Sequence, residues 1–232
     1  MFVPIFDENP LRSIQFQYVT IGLIALNVAV FVLEASGLQT AVVAKFAVVP
    51  NALLRIGVLG GPALGPTEGI AVPESYTLLS YMFLHGDILH LSGNLLFLWV
   101  FGDNVEDALG HVKFLVFYLV CGVAAGLAHA VMQPDSSIPL IGASGAVAGV
   151  IAAYLILHPR VRVWVLVFRF IPVRITAALA LGAWILTQIV MLLLPEGDLV
   201  AWWAHVGGLM AGAALVLIMR RRGVRLFDRG LV

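Results

Sequence analysis

Ser144 sits in the pentapeptide Gly142-Ala143-Ser144-Gly145-Ala146, at the head of an apolar run. A serine hydroxyl is a weak nucleophile until an adjacent base takes its proton. His205, in Ala204-His205-Val206-Gly207-Gly208, lies early in another apolar run and is the natural base to test. His90 and Asn94 stand at i and i+4 in a third run and share one helix face. Imidazole and amide N–H groups are among those that stabilise an oxyanion. Each group also has a plainer reading. Gly145 and Gly149 form a GxxxG, in which small residues let membrane helices approach, and a serine beside it can be packing alone. A buried interhelical hydrogen bond would account equally for His90 or Asn94.

These groups matter because of the solvent the composition implies. Of 232 residues, 61% are hydrophobic and only 11% charged, and the mean hydropathy is +1.03. A soluble domain carries about 25% charged residues, so this chain lacks the polar surface to coat a water-soluble globule. A polar side chain inside a bilayer is costly, which makes each one a functional candidate. The single cysteine, Cys121, excludes an intrachain disulfide, and no Cys/His cluster has metal-ligand spacing. No metal or other cofactor is expected, and no nucleic-acid partner.

Six apolar segments can position the polar groups, at about 18–35, 86–101, 113–132, 144–157, 175–194 and 200–219, with a semi-apolar stretch at 77–84 before the second. The polar opening of the chain lacks the pattern of a signal peptide, so the first helix is expected to be retained. The longest connection, 37–76, contains an amphipathic piece at Lys45–Ile56, suited to an interface, and a run of glycine and proline between Gly57 and Pro66. A structured loop is expected there. Basic residues mark cytoplasmic loops. Counting compartments alternately from the N-terminus, all of the 13 Lys and Arg except Lys45 and Arg55 fall in one set. Both termini are therefore expected to be cytoplasmic, with an even number of spans.

In that topology the fourth and sixth segments run in the same direction. Ser144 and His205 each lie a few residues past Pro139 and Val200, which predicts about 7–8 Å of depth for both. Gly208 and Gly212 follow His205 on the same face, so a second helix can come close beside it. No carboxylate is in reach. Asp87 is near the outer surface, and Asp103, Glu106 and Asp107 are at the opposite end of their segment, leaving a dyad only. Cys121 reads as packing, and Trp202 and Trp203 as interface anchors. Arg220–Arg222 reads as a stop-transfer cluster able to touch anionic lipid. His111, His129 and His158 have no identifiable partners.

With these residues in view, the chain resembles the rhomboid family of intramembrane serine proteases. The resemblance rests on GASGA around Ser144, on H-VGG-x-x-AG from His205, on HGDILHLSGN from His85 to Asn94, and on FGDNVEDALG around Glu106. It implies Ser144 as nucleophile, His205 as general base, and His90 and Asn94 as oxyanion-stabilising residues. It also implies a structural or water-associated His85, and Glu106 as a tether at the cytoplasmic helix end. The implied fold is an all-α, six-helix membrane bundle of the compact bacterial type. It would form one domain over 1–232, with an extracytoplasmic first loop at about 37–78 and a basic cytoplasmic tail at 220–232. The implied partners are the lipid bilayer and single-pass membrane-protein substrates, which enter past the fifth segment and are cut near small residues. Two features depart from many members: the first loop lacks a Trp-Arg pair, and Ala148 stands where some carry an aromatic ring against the histidine. The alternatives are a catalytically silent relative that binds transmembrane helices, and a small transporter, although no inverted repeat is visible.

Overall fold

A computed structural model describes residues 2–56, 73–167, 170–193 and 200–228. Its helices are α1 (Tyr18–Leu33), α2 (Gln39–Phe46), α3 (Pro50–Ile56), α4 (Glu74–Ser80), α5 (Ile88–Leu109), α6 (His111–Met132), α7 (Ser144–Leu157), α8 (Ala177–Leu193) and α9 (Trp202–Met219). Among the described residues, three apolar stretches are long enough to cross a membrane: Tyr18–Phe46, His111–Met132 and Trp202–Met219. The helices α7 and α8 are apolar but shorter. At 14 residues, α7 spans only about 21 Å, and it is buried along nearly its whole length against α5, α6 and α9. The core is built around it, with Phe101, Phe117, Tyr118, Ile151 and Tyr154 all fully buried.

The purely helical expectation needs correction. Strands β1 (Phe2–Asp7), β2 (Arg162–Val167) and β3 (Ile171–Thr176) form an antiparallel sheet in the order β1-β2-β3. Val163 and Val165 point into the protein and are fully buried, while Arg162 is exposed, the period-2 alternation of a half-buried strand. The Trp164 Nε1–H donates to Glu8 at 3.0 Å, and Arg174 on β3 also donates to Glu8. The fifth apolar segment therefore starts as strand, and its helix begins at Ala177.

Other boundaries move for local reasons. The second helix runs on to Leu109, because Phe101 through Leu109 is buried at nearly every position and supports helix beyond the purely apolar stretch. The piece at Lys45–Ile56 is two helices rather than one. Val48 interrupts it by pairing with Leu140, and Val48 and Leu53 are buried in the protein while Leu54 is exposed. The run from Gly57 to Pro66 lies outside the described residues.

The far end of α5 is an acidic clamp. Glu106, fully buried, accepts hydrogen bonds from the Val19 and Thr20 amides and the Thr20 hydroxyl at 3.0, 2.8 and 2.6 Å, and contacts His111 Nδ1 at 2.5 Å. The first amides of a helix have no intrahelical acceptor, so Glu106 caps α1 from another helix. Asp107 does the same for the preceding chain, accepting from the amides of Arg12, Ser13 and Ile14. His111 thus has a partner, and so does His158, whose Nδ1 lies 2.9 Å from Asp228. On β1, Asp7 accepts from the Tyr154 hydroxyl of α7.

Candidate active site

Four glycines set the distance between α7 and α9. A Cβ placed on Gly208 would stand 1.9 Å from the carbonyl oxygen of Gly145, and one on Gly212 would stand 2.2 Å from that of Gly149. The two backbones therefore touch, as small residues at a helix crossing permit. On either side of this seam lie Ser144 and His205.

The start of the helix carrying Ser144 differs from the expected entrance at Pro139. Residues 139–143 are not helical, and Ser144 is the first residue of α7 rather than one turn inside it. The cause is local. Leu140 is held by Val48 in an extended bridge, Gly142 donates its amide to Tyr81 O at 3.0 Å, and Gly142 has φ +117°, which breaks helical geometry. His205 is the fourth residue of α9.

The structure brings the pair together. His205 Nε2 lies 2.8 Å from Ser144 Oγ, and His205 Nδ1 lies 2.7 Å from Gln188 Oε1 on α8. The imidazole is buried and packed between two indoles, with centroids 5.9 Å from Trp184 and 5.8 Å from Trp202. Those rings occupy the role that Ala148 cannot fill, and Trp202 is a wall of the site as well as a residue at the helix end. A half-buried hydroxyl within hydrogen-bond reach of a buried imidazole is an arrangement competent for general-base activation.

His90 is also placed at the site. Its ring lies over Gly142, where a Cβ would come within 2.6 Å of Cε1 and Nε2. It packs edge-on against His85 at 5.1 Å. Asn94 is buried one turn further along α5 and donates to the His90 carbonyl at 3.1 Å. Among the described residues, neither side chain hydrogen-bonds Ser144 or His205. Helix α5 is started by Asp87, which accepts from the amides of Leu89 and His90, both at 2.8 Å. His85 is buried, and its amide donates to Glu34 at 3.2 Å.

Gln188 is the residue that sequence reasoning missed. The signal was present: a long amide in the apolar run of α8, open to the same argument that singled out His205.

A family model described as the Rhomboid domain matches residues 72–222. The chain is 40% identical over 95 residues to Rhomboid protease GluP of Bacillus subtilis (strain 168), covering 40% of this chain and 18% of that protein. It is 29% identical over 149 residues to RHOMBOID-like protein 5 of Arabidopsis thaliana, covering 63% and 45%. It is 31% identical over 93 residues to Inactive rhomboid protein 1 of Drosophila melanogaster, covering 40% and 6%. The chain spans less than half the length of these relatives. Their names include both a protease and an inactive protein, so activity has to be argued from the site itself.

Proposed function

This chain belongs to the rhomboid family, whose members are embedded in membranes, and we propose that it is an intramembrane serine endopeptidase. The observation that carries this reading is the 2.8 Å contact between Ser144 Oγ and His205 Nε2, with Trp202 packed edge-on against the imidazole. In the proposed reaction, Ser144 Oγ attacks a peptide carbonyl of a membrane-protein substrate as His205 Nε2 takes the hydroxyl proton. The developing oxyanion is met by the Ser144 amide at the start of α7, by the Asn94 amide group and by the His90 ring. His205 then returns the proton to the leaving amine, and water releases the acyl group from Ser144.

The proposed setting is a six-span bundle in a bacterial plasma membrane, one domain over 1–232, with both termini cytoplasmic. The distribution of basic residues supports this orientation. The six-span count is supported by the set of helices, in which α1, α5, α6, α7, α8 and α9 correspond to the six apolar segments. Substrates are single-pass membrane proteins that approach past α8.

The test is cleavage of a single-pass transmembrane substrate by purified protein in detergent, beside Ser144→Ala and His205→Ala. Cleavage by the unaltered protein and by neither variant is expected. Failure of the folded protein both to cut and to react at Ser144 with a fluorophosphonate would favour a silent, helix-binding relative.

A further inference from the structure

We propose that Gln188 is the third member of the site, a positioning residue that fixes which nitrogen of His205 carries the proton. The proposal rests on the Ser144–His205 reading above and adds a residue from a different helix to it.

The chain of hydrogen bonds leaves one consistent assignment. Gln188 Nε2 lies 3.0 Å from the carbonyl of Trp184, one turn back along α8. A carbonyl only accepts, so the amide nitrogen must face it and the amide oxygen must face His205. That oxygen also only accepts. The nitrogen 2.7 Å from it, His205 Nδ1, therefore carries the hydrogen. In a neutral imidazole the other nitrogen, Nε2, then has a free lone pair, and it lies 2.8 Å from Ser144 Oγ. This is the tautomer a general base needs. The opposite tautomer would point an N–H at the serine and leave two acceptors facing each other across the Gln188 contact.

Burial shows that the amide is placed rather than incidental. Beyond Leu181, Gln188 is the only buried residue of α8, while Leu186, Ile189, Val190, Met191 and Leu193 are exposed. An amide turned inward from an apolar helix is costly unless both its ends are bonded, and here both are. A neutral amide orients the imidazole without adding a carboxylate to a buried site, where an unpaired charge would be expensive.

A simple helix anchor would make the same contact, so the test must read the histidine as well as the fold. Gln188→Met keeps the length and removes the acceptor, Gln188→Asn keeps the amide and shortens its reach, and Gln188→Glu keeps an acceptor at the same distance. Two readouts are used on the purified protein: the rate at which a fluorophosphonate labels Ser144, and 15N spectra of the His205 ring, assigned with His205→Ala. In the unaltered protein the Nδ1–H tautomer is expected to dominate. In the Met and Asn variants the Nε2–H tautomer should appear and labelling should slow by about 10- to 100-fold, the effect of one lost buried hydrogen bond at a reacting group. Gln188→Glu should fall between the original and the Met variant, because it keeps an acceptor for Nδ1 but loses the donor to the Trp184 carbonyl and adds a buried charge. Folded Met and Asn variants with unchanged tautomer and rate would overturn the proposal. If the unaltered protein is not labelled at all, the protease reading fails, while the 15N spectra still decide whether Gln188 governs His205.

Discussion

Gly208 lies so close to the carbonyl of Gly145 that no side chain fits between α9 and α7. Ser144 precedes one of these glycines by a residue and His205 precedes the other by three, so the seam and the hydrogen-bonded pair are one construction. Gly208→Ala must push the helices apart. Overpacking of this kind costs about 1–3 kcal/mol or more. It should lower the melting temperature and slow fluorophosphonate labelling of Ser144 by at least about tenfold, since a displacement near 1 Å costs more than that at a reacting pair. Gly182→Ala is the control. Nothing lies within 4 Å of the added methyl, and alanine should be neutral or stabilising by up to about 1 kcal/mol in a helix. Equal behaviour of the two variants would refute the role of the seam.

Gly142→Ala tests the turn that starts α7. At φ +117° an L side chain is strained, and the methyl would run into the His90 ring. The backbone term alone is about 1–3 kcal/mol. Labelling should fall strongly while the α7–α9 seam stays intact, so helical circular dichroism should be retained. A variant with full reactivity would show that the His90–Gly142 contact is dispensable.

Glu106→Ala should cost about 1–3 kcal/mol for each buried donor left without an acceptor. Three donors at the start of α1 would lose their acceptor. Hydrogen exchange should accelerate at the Val19 and Thr20 amides, with Glu106→Gln intermediate. Unchanged exchange at those amides would exclude the capping role.

Asp7 gives the N-terminal strand a pH dependence. Burial pushes its carboxyl up to about 7, partly offset by the hydrogen bond from Tyr154 and reinforced by the neighbouring Asp103. The folded form thus holds the proton more tightly than the unfolded chain, whose value is near 3.8. The contribution of Asp7 is present in full below that value and is lost as pH rises through about 7. The amides of Val3, Ile5 and Phe6 should exchange faster at pH 8 than at pH 5.5 after correction for intrinsic rates, and Asp7→Asn should flatten the difference. A steeper dependence in the Asn variant would reverse the assignment.

Orientation can be read with single cysteines, because native Cys121 is fully buried and should stay silent. Ser137→Cys and Arg222→Cys both lie at exposed positions. In the proposed topology an impermeant maleimide labels Ser137→Cys from outside intact cells and Arg222→Cys only in inverted vesicles. The opposite pattern would invert the bundle.

Much of this site is legible in the sequence because its determinants are local. Gly145, Gly149, Gly208 and Gly212 announce a close helix crossing by spacing alone, and Ser144 and His205 stand beside them. The fourth helix begins and ends where its apolar run does, at Ser144 and Leu157. What escaped depends on partners distant in the chain. Val163, Val165 and Trp164 alternate as a strand should, yet the surrounding arginines draw attention to charge, and the pairing partner, β1, is at the other end of the sequence. Gln188 and Trp202 reveal their roles only when α8 and α9 are laid against each other. The helix entrance expected at Pro139 lies too early, because residues 139–143 precede the apolar run and are not helical. Gly142 and the Val48–Leu140 bridge decide that.

The register of the sheet also orders events in time. Phe2 pairs with Val167 and Asp7 with Val163, whereas β2 and β3 are neighbours that form a hairpin locally. Of these three strands β1 is synthesised first and waits longest, since its partner does not exist until every helix through α7 has been synthesised. Once the sheet is closed, Asp7 receives the Tyr154 hydroxyl. Closure of the sheet thus marks the point at which the early part of the nascent chain is locked to the helix that carries Ser144.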